Sequence, residues 1–286
     1  MSSATSGRDR RRVVVISGGT NGMGRTLALA RARRGDTVVT IGSDRAKGAE
    51  LMAEACSEGL PGKVDFVRAD LSTIDGNRDA IAHVTNAHHA VDALVLCANR
   101  QHPSRVVTVD GLERTFALYY LSRHLLGHGL TAALSRAPAP VIVNVAGVGM
   151  TKGRIHWEDM QLEHDYGMIA AQLQAGRAND LLGVAYAEAH GSTVPYVLYH
   201  PGFTRSGDLS PLSTPTRVLL RLAASLFARP VERAVAPMHA FIDTPPERPL
   251  TAIDRATSLP LNLATLDPSA AARLAAATEA LLAGTT

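Results

Sequence analysis

Cysteine is scarce in this 286-residue chain, which carries only Cys56 and Cys97. One falls in a helical pattern and the other ends an apolar strand pattern, so no disulfide framework is expected and a reducing compartment, the cytoplasm, fits. Lysine is nearly as rare, with Lys47, Lys63 and Lys152 the only three, which leaves few candidates for a catalytic amine. No run of about 18 apolar residues is present to span a membrane, and the apolar stretch Val13–Ile16 is too brief for a signal-peptide core. The body of the chain has no excess of either charge. Arg8, Arg10, Arg11 and Arg12 against Asp9 account for the whole formal net charge of +3. A nucleic-acid-binding face is therefore not expected, and residues 1–12 read as a disordered basic tail. No cluster of His, Cys and carboxylates has metal-ligand spacing, so no metal is expected.

Hydrophobic residues make up 46% of the sequence, enough to bury one large core, so residues 13–286 are expected to form a single domain. Short β-branched runs (RVVVIS, TVVTI, VDFVRA, ALVLC, PVIVNV, VPYVLY) alternate with helical patterns. The helices are expected to run up to Arg34, from Asp44, over Thr73–His88, from Asp110, from Asp165 and near Pro268–Leu282. Strands that are apolar throughout and separated by helices predict an α/β fold with a doubly wound, mainly parallel sheet covered on both faces. Pro211–Phe227 reads either as a mobile cover over a ligand site or as a plain packed helix.

The first strand is followed by SGGTNGMGRTLALA, which places Gly18, Gly22 and Gly24 at a strand-to-helix turn. Glycines there let backbone approach a pyrophosphate, and the helix N-terminus offers unpaired N–H groups and a positive dipole end. In this context the chain resembles the short-chain dehydrogenase/reductase family, whose TGxxxGxG motif reads here Ser17-Gly18-Gly19-Thr20-Asn21-Gly22-Met23-Gly24. Its retinol-dehydrogenase-like branch matches furthest, through ADL at 69–71, DGLERTFALYYL, GRIHWEDM and HPGFT at 200–204. The resemblance implies a Rossmann-type fold and a bound nicotinamide dinucleotide. Its contacts would come from Ser17, Gly18, Thr20, Asn21, Gly22, Met23 and Gly24 in the first turn. Asp70 and Leu71 would serve the adenine, and Ala98, Pro201, Gly202 and Thr204 the remainder. Where the family places an acid to hold the ribose of NAD, this sequence has Gly42, followed by Ser43. With Arg45 or Arg25 near enough to meet a 2′-phosphate, NADP(H) is the expected cofactor.

In that family Tyr donates a proton to a carbonyl, Lys supports the Tyr and holds the nicotinamide ribose, Ser polarises the carbonyl and Asn supports a relay. The resemblance puts these positions at Tyr119 (within FALYYLSR, for Asn), Gly147 (within VNVAG, for Ser), and Gln172 and Gly176 (within AAQLQAGRANDLL, for Tyr and Lys). A Gln amide has no titratable proton and Gly has no side chain. Loss of a general acid costs roughly 10²–10⁴ in rate, so standard carbonyl reduction is not expected. The family's NNAG reads Leu96-Cys97-Ala98-Asn99, which places a side chain where backbone should approach the cofactor. Gly176 lowers helix stability, and a ligand or a neighbouring backbone passing close by would account for it. The cleft is expected to be ringed by residues 99–105, Tyr119, Tyr120, His124, residues 147–157 and Gln172, with His102 and Lys152 as conceivable relocated acid or base. Three roles follow: a small-molecule enzyme with a rebuilt pocket, a silent partner subunit, or an NADP(H)-sensing regulator. The silent subunit would form a homo- or hetero-oligomer through the 166–190 helix, by way of Ala178, Leu181, Leu182, Ala185 and Ala189.

Overall fold

The computed structural model describes residues 10–202 and 230–285. Among them, eight strands form one sheet: β1 (Val13–Ser17), β2 (Thr37–Gly42), β3 (Lys63–Arg68), β4 (Ala93–Leu96), β5 (Val141–Val145), β6 (Tyr196–His200), β7 (Leu250–Asp254) and β8 (Thr257–Ser258). The spatial order is β3-β2-β1-β4-β5-β6-β7-β8, parallel from β3 to β7, with β8 antiparallel to β7. This is the doubly wound α/β sheet expected from the sequence. Within β1, Val13 and Val15 enter one core and Val14 and Ile16 the other. Both faces are covered, which is why the strand reads as an unbroken apolar run. Each fully buried aliphatic side chain there contributes about 1.5–3 kcal/mol.

One face carries α1 (Gly22–Arg33) and α7 (Val231–Asp243), which bury Leu27, Ala28, Val235, Met238 and Ile242. The other carries α3 (Ile74–Ala87), α5 (Ser122–Leu134) and α6 (Met168–His190), through Val84, Leu126, Leu130, Leu181 and Leu182. The last helix, α8 (Pro268–Ala283), packs on α6, while α2 (Arg45–Ser57) lies beside β3. A short helix, α4 (Arg114–Phe116), passes through a π-helical turn at Ala117–Leu121 directly into α5.

Two boundaries differ from expectation. The helix expected from Asp110 starts at Arg114, because Glu113 is its N-cap and accepts from the Thr115 and Phe116 N–H groups, both at 2.7 Å. Asp110 instead accepts from the Ile74 N–H at 3.0 Å, at the start of α3. The helix expected from Asp165 starts at Met168, after an extended Gly167 cap; Tyr166 precedes it and donates its hydroxyl to the His102 carbonyl at 2.7 Å. Within the stretch 1–12 read as a tail, Arg10 is ion-paired to Asp92 and Arg12 to Asp243. The Arg12 carbonyl also accepts from the Thr37 N–H at 2.8 Å, extending the β1–β2 ladder. Residues 1–9, Thr204 and the possible cover Pro211–Phe227 lie outside the described residues.

Candidate nucleotide and ligand site

Strand order reverses between β1 and β4, so a crevice opens at their carboxyl ends, the position where doubly wound sheets take ligands. Ser17 ends β1 fully buried, and its hydroxyl accepts from the Ala98 N–H at 3.4 Å, tying the two strand ends together. Gly18 follows at φ +69°, and a Cβ on it would stand 2.8 Å from the Ala98 Cα. Gly24 packs the helix onto the turn so closely that a Cβ would lie 2.4 Å from the Gly18 carbonyl oxygen. Both positions therefore require glycine. The Asn21 side chain accepts from the Gly22 N–H at 2.9 Å, and the first turn of α1 has no acidic residue. Its dipole end therefore remains available to an anion. Thr20 and Met23 flank the turn half-buried, and Met23 rests against the core.

At the end of β2, a side chain at position 42 would need Thr20 to give by a few tenths of an ångström. A Cβ on Gly42 would stand 3.1 Å from the Thr20 hydroxyl oxygen and 3.3 Å from its methyl. The next acid, Asp44, is used as the N-cap of α2 and accepts from the Ala46 and Lys47 N–H groups, which hold its carboxyl below the usual range. Of the two arginines expected to supply positive charge, Arg25 is ion-paired to Glu54 on α2. Arg45 opens α2 and is exposed beside the exposed Ser43. A residue that the sequence did not single out, Arg68, stands directly opposite Gly42 in β3 and is also exposed. Further on, Asp70 accepts from the Ser72 N–H at 3.0 Å and pairs with Arg114 at 3.4 Å. The Leu71 side chain is in the core, so only its backbone can face a ligand.

On the β5 side, Tyr119 occupies the middle of the π-helical turn, a backbone irregularity common at functional sites. Asn179 on α6 donates to its carbonyl at 2.7 Å, occupying an acceptor that a regular helix would use internally. The Arg123 guanidinium stacks on the Tyr119 ring at 4.6 Å. Burial holds this phenol above its ordinary pKa against the pull of Arg123, with Asp180 adding to the rise. Gln172 extends to the loop after β4, where it exchanges amide hydrogen bonds with Asn99, at 3.1 Å in one direction and 3.2 Å in the other. It also donates to the Arg100 carbonyl at 3.3 Å. Beyond it, a Cβ on Gly176 would meet no atom within 4 Å among the described residues. No described backbone passes close to Gly176, contrary to one reading of the sequence.

The family model described as short chain dehydrogenase matches residues 12–159, more than half of the chain. The chain belongs to the short chain dehydrogenase family. Its relatives extend the match toward the retinol-dehydrogenase-like branch. Retinol dehydrogenase 14 of Mus musculus is 28% identical over 259 residues, covering 86% of this chain and 74% of the relative. Dehydrogenase/reductase SDR family member 12 of Homo sapiens is 28% identical over 197 residues, covering 67% of this chain and 60% of the relative. In the latter case the chain spans about three-fifths of its relative's length. Among solved structures, a Shigella flexneri short chain dehydrogenase complexed with NADP aligns with a TM-score of 0.65 at 15% identity, covering 85% of this chain and 96% of that one. The likeness at that identity is one of fold. The family match ends at residue 159, before α6 begins, so Gln172 and Gly176 lie in the part that the family model does not cover.

Two residues expected to ring the cleft of this short chain dehydrogenase do not. Tyr120 bonds Thr278 on α8 at 2.6 Å, and His124 faces Glu279 and stacks on His128. Both therefore point along the seam with α8, because residues four apart on a helix share one face, here a different one from that of Tyr119. His102 is half-buried, and burial lowers its pKa, whereas Lys152 is exposed in the loop after β5. Ala178, Leu181 and Leu182, considered for a partner interface, belong to the chain's own core; Ala185 is half-buried and Ala189 exposed.

Sequence reasoning missed two groups. Arg123 is 1% exposed and donates to the Asn144 side chain, to the Val145 carbonyl at 2.9 Å and to the Ala98 carbonyl at 3.0 Å, holding the ends of β4 and β5. Its spacing from Tyr119, four residues along one helix, was a visible signal. Asp180 is also 1% exposed and accepts from the Gly149 N–H at 3.2 Å, while its second oxygen has no partner among the described residues. A carboxylate directly before the apolar Leu181 and Leu182 was the sign available in the sequence. Since a Cβ at Gly176 finds open space, Gly176→Ala is expected to stabilise the protein by about 0.8–1 kcal/mol, read as a higher urea midpoint at unchanged slope.

Proposed function

We propose that this member of the short chain dehydrogenase family binds NADP(H) and acts on a small molecule in a rebuilt pocket, having lost the Tyr/Lys route of carbonyl reduction. The observation that carries the reading is the contrast between the two ends of the crevice. The glycine turn retains its close packing and its unneutralised helix N-terminus. At the position assigned to the catalytic Tyr, Gln172 is instead engaged with Asn99. An amide offers hydrogen bonds but no transferable proton, and Gly176 brings no cation. Arg45 and Arg68, exposed beside the end of β2 where Gly42 brings no acid, favour the 2′-phosphorylated cofactor. The free thiols of Cys56 and Cys97 favour the cytoplasm.

The test is titration with NADPH and NADH, followed by a hydride-transfer assay over a panel of aldehydes and ketones. Tighter binding of NADPH with no turnover is the expected result, and robust turnover would overturn the reading. A second role, an NADP(H)-responsive regulator, is favoured by the same Asn99–Gln172 bridge, because a pocket fastened across its redox end is suited to sensing a nucleotide without consuming it.

A further inference from the structure

We infer that the crevice takes the adenosine-phosphate half of its nucleotide and shuts out the nicotinamide half, because the Asn99–Gln172 amide pair bridges the loop after β4 to α6 across the second mononucleotide position. The inference rests on the nucleotide-binding reading above and specifies which part of the ligand is bound.

A doubly wound fold binds a dinucleotide astride its switch point, with one mononucleotide on each side. Here the switch lies between β1 and β4, and the β2 side carries the glycine turn, Gly42 and the exposed Arg45 and Arg68. The second mononucleotide must therefore pass Ala98 and lie over the ends of β4 and β5, beside α6. Ala98 is fixed on three sides. Its N–H donates to the Ser17 hydroxyl, its Cα abuts Gly18, and its carbonyl accepts from the buried Arg123 at 3.0 Å. The next side chain, Asn99, thus leaves from a rigid base and meets Gln172 in a reciprocal pair of amide bonds, with the Arg100 carbonyl as a third contact. Two side chains that depart from the family pattern, 73 positions apart, are each other's partners. A nicotinamide riboside entering here would have to break this reciprocal amide pair and the Gln172 bond to the Arg100 carbonyl before either side chain could meet it.

The test uses the full chain in calorimetric titrations with adenosine 2′,5′-bisphosphate and with NADP⁺. The bisphosphate is expected to bind within about threefold of NADP⁺, since the extra half contributes little. Asn99→Gly and Gln172→Ala are each expected to tighten NADP⁺ by about tenfold, equivalent to about 1.4 kcal/mol, and to leave the bisphosphate affinity unchanged. NADP⁺ binding more than about tenfold tighter than the bisphosphate would overturn the inference, as would variants that bind NADP⁺ no better than wild type. Binding of NADP⁺ but not of the bisphosphate refutes the inference alone. Binding of neither refutes the nucleotide reading with it. Asn99 is exposed and Gln172 half-buried, so both variants are expected to fold; should one fail, the wild-type ratio and the other variant decide.

Discussion

Asp180→Asn is expected to stabilise the protein increasingly as pH rises, from no gain near pH 4 to about 2–4 kcal/mol at pH 8. Burial drives the cause: the Asp180 carboxyl is pushed up to about 7, and the Gly149 N–H, the Arg177 charge and the Thr265 hydroxyl only partly offset that rise. A folded pKa above the unfolded one means that the native state holds the proton more tightly. Stability conferred by the neutral form is therefore intact at low pH and is lost as pH rises from about 4 through about 7. The group lies 1% exposed, with one oxygen unpartnered among the described residues, so the ionised form has little solvation to draw on. An amide carries no charge and removes that slope. His124 and His128, whose pKa values burial lowers to about 4, impose the opposite trend, losing stability as pH falls below about 6.5. They are common to both proteins and cancel in the difference. Urea unfolding of wild type and variant from pH 4 to pH 8 measures it, and a difference that does not change with pH would show Asp180 to be an ordinary ionised carboxylate.

The second large effect belongs to Arg123. Arg123→Ala is expected to destabilise the fold by about 3–5 kcal/mol, because it leaves a cavity and strips the donor from the Ala98 and Val145 carbonyls and the Asn144 side chain. Arg123→Met fills most of the volume and removes a buried charge that has no carboxylate partner among these bonds, so its cost is expected to be smaller, about 1–3 kcal/mol. Guanidinium denaturation of both variants separates packing from charge. A Met variant as stable as wild type would mean that this cation contributes nothing net to the fold.

Much of this molecule was readable in one dimension. The glycine turn, the helix starts near Asp44 and Thr73 and the apolar strands all depend on neighbours within about a turn of chain, where periodicity and backbone chemistry speak directly. Other helix starts were less legible. Helices were expected from Asp110 and Asp165, but Asp110 accepts from the start of a different helix, and Asp165 precedes Tyr166, bonded to His102, and the extended Gly167 cap. Arg25 and Arg45 looked equivalent until Glu54 was found beside only the first.

The sequence by itself determined the doubly wound sheet, the anion-ready turn after β1 and the absence of a titratable side chain at 172 and 176, because each is a property of residue type and local spacing. Only the tertiary structure decided that Gln172 meets Asn99, that Arg123 pins the ends of β4 and β5, and that Asp180 is sealed from water. Each of those facts depends on how α5 and α6 settle against strands far away in the chain. A side chain's chemistry is fixed when it is encoded, but its partner and its dielectric surroundings are fixed only by packing.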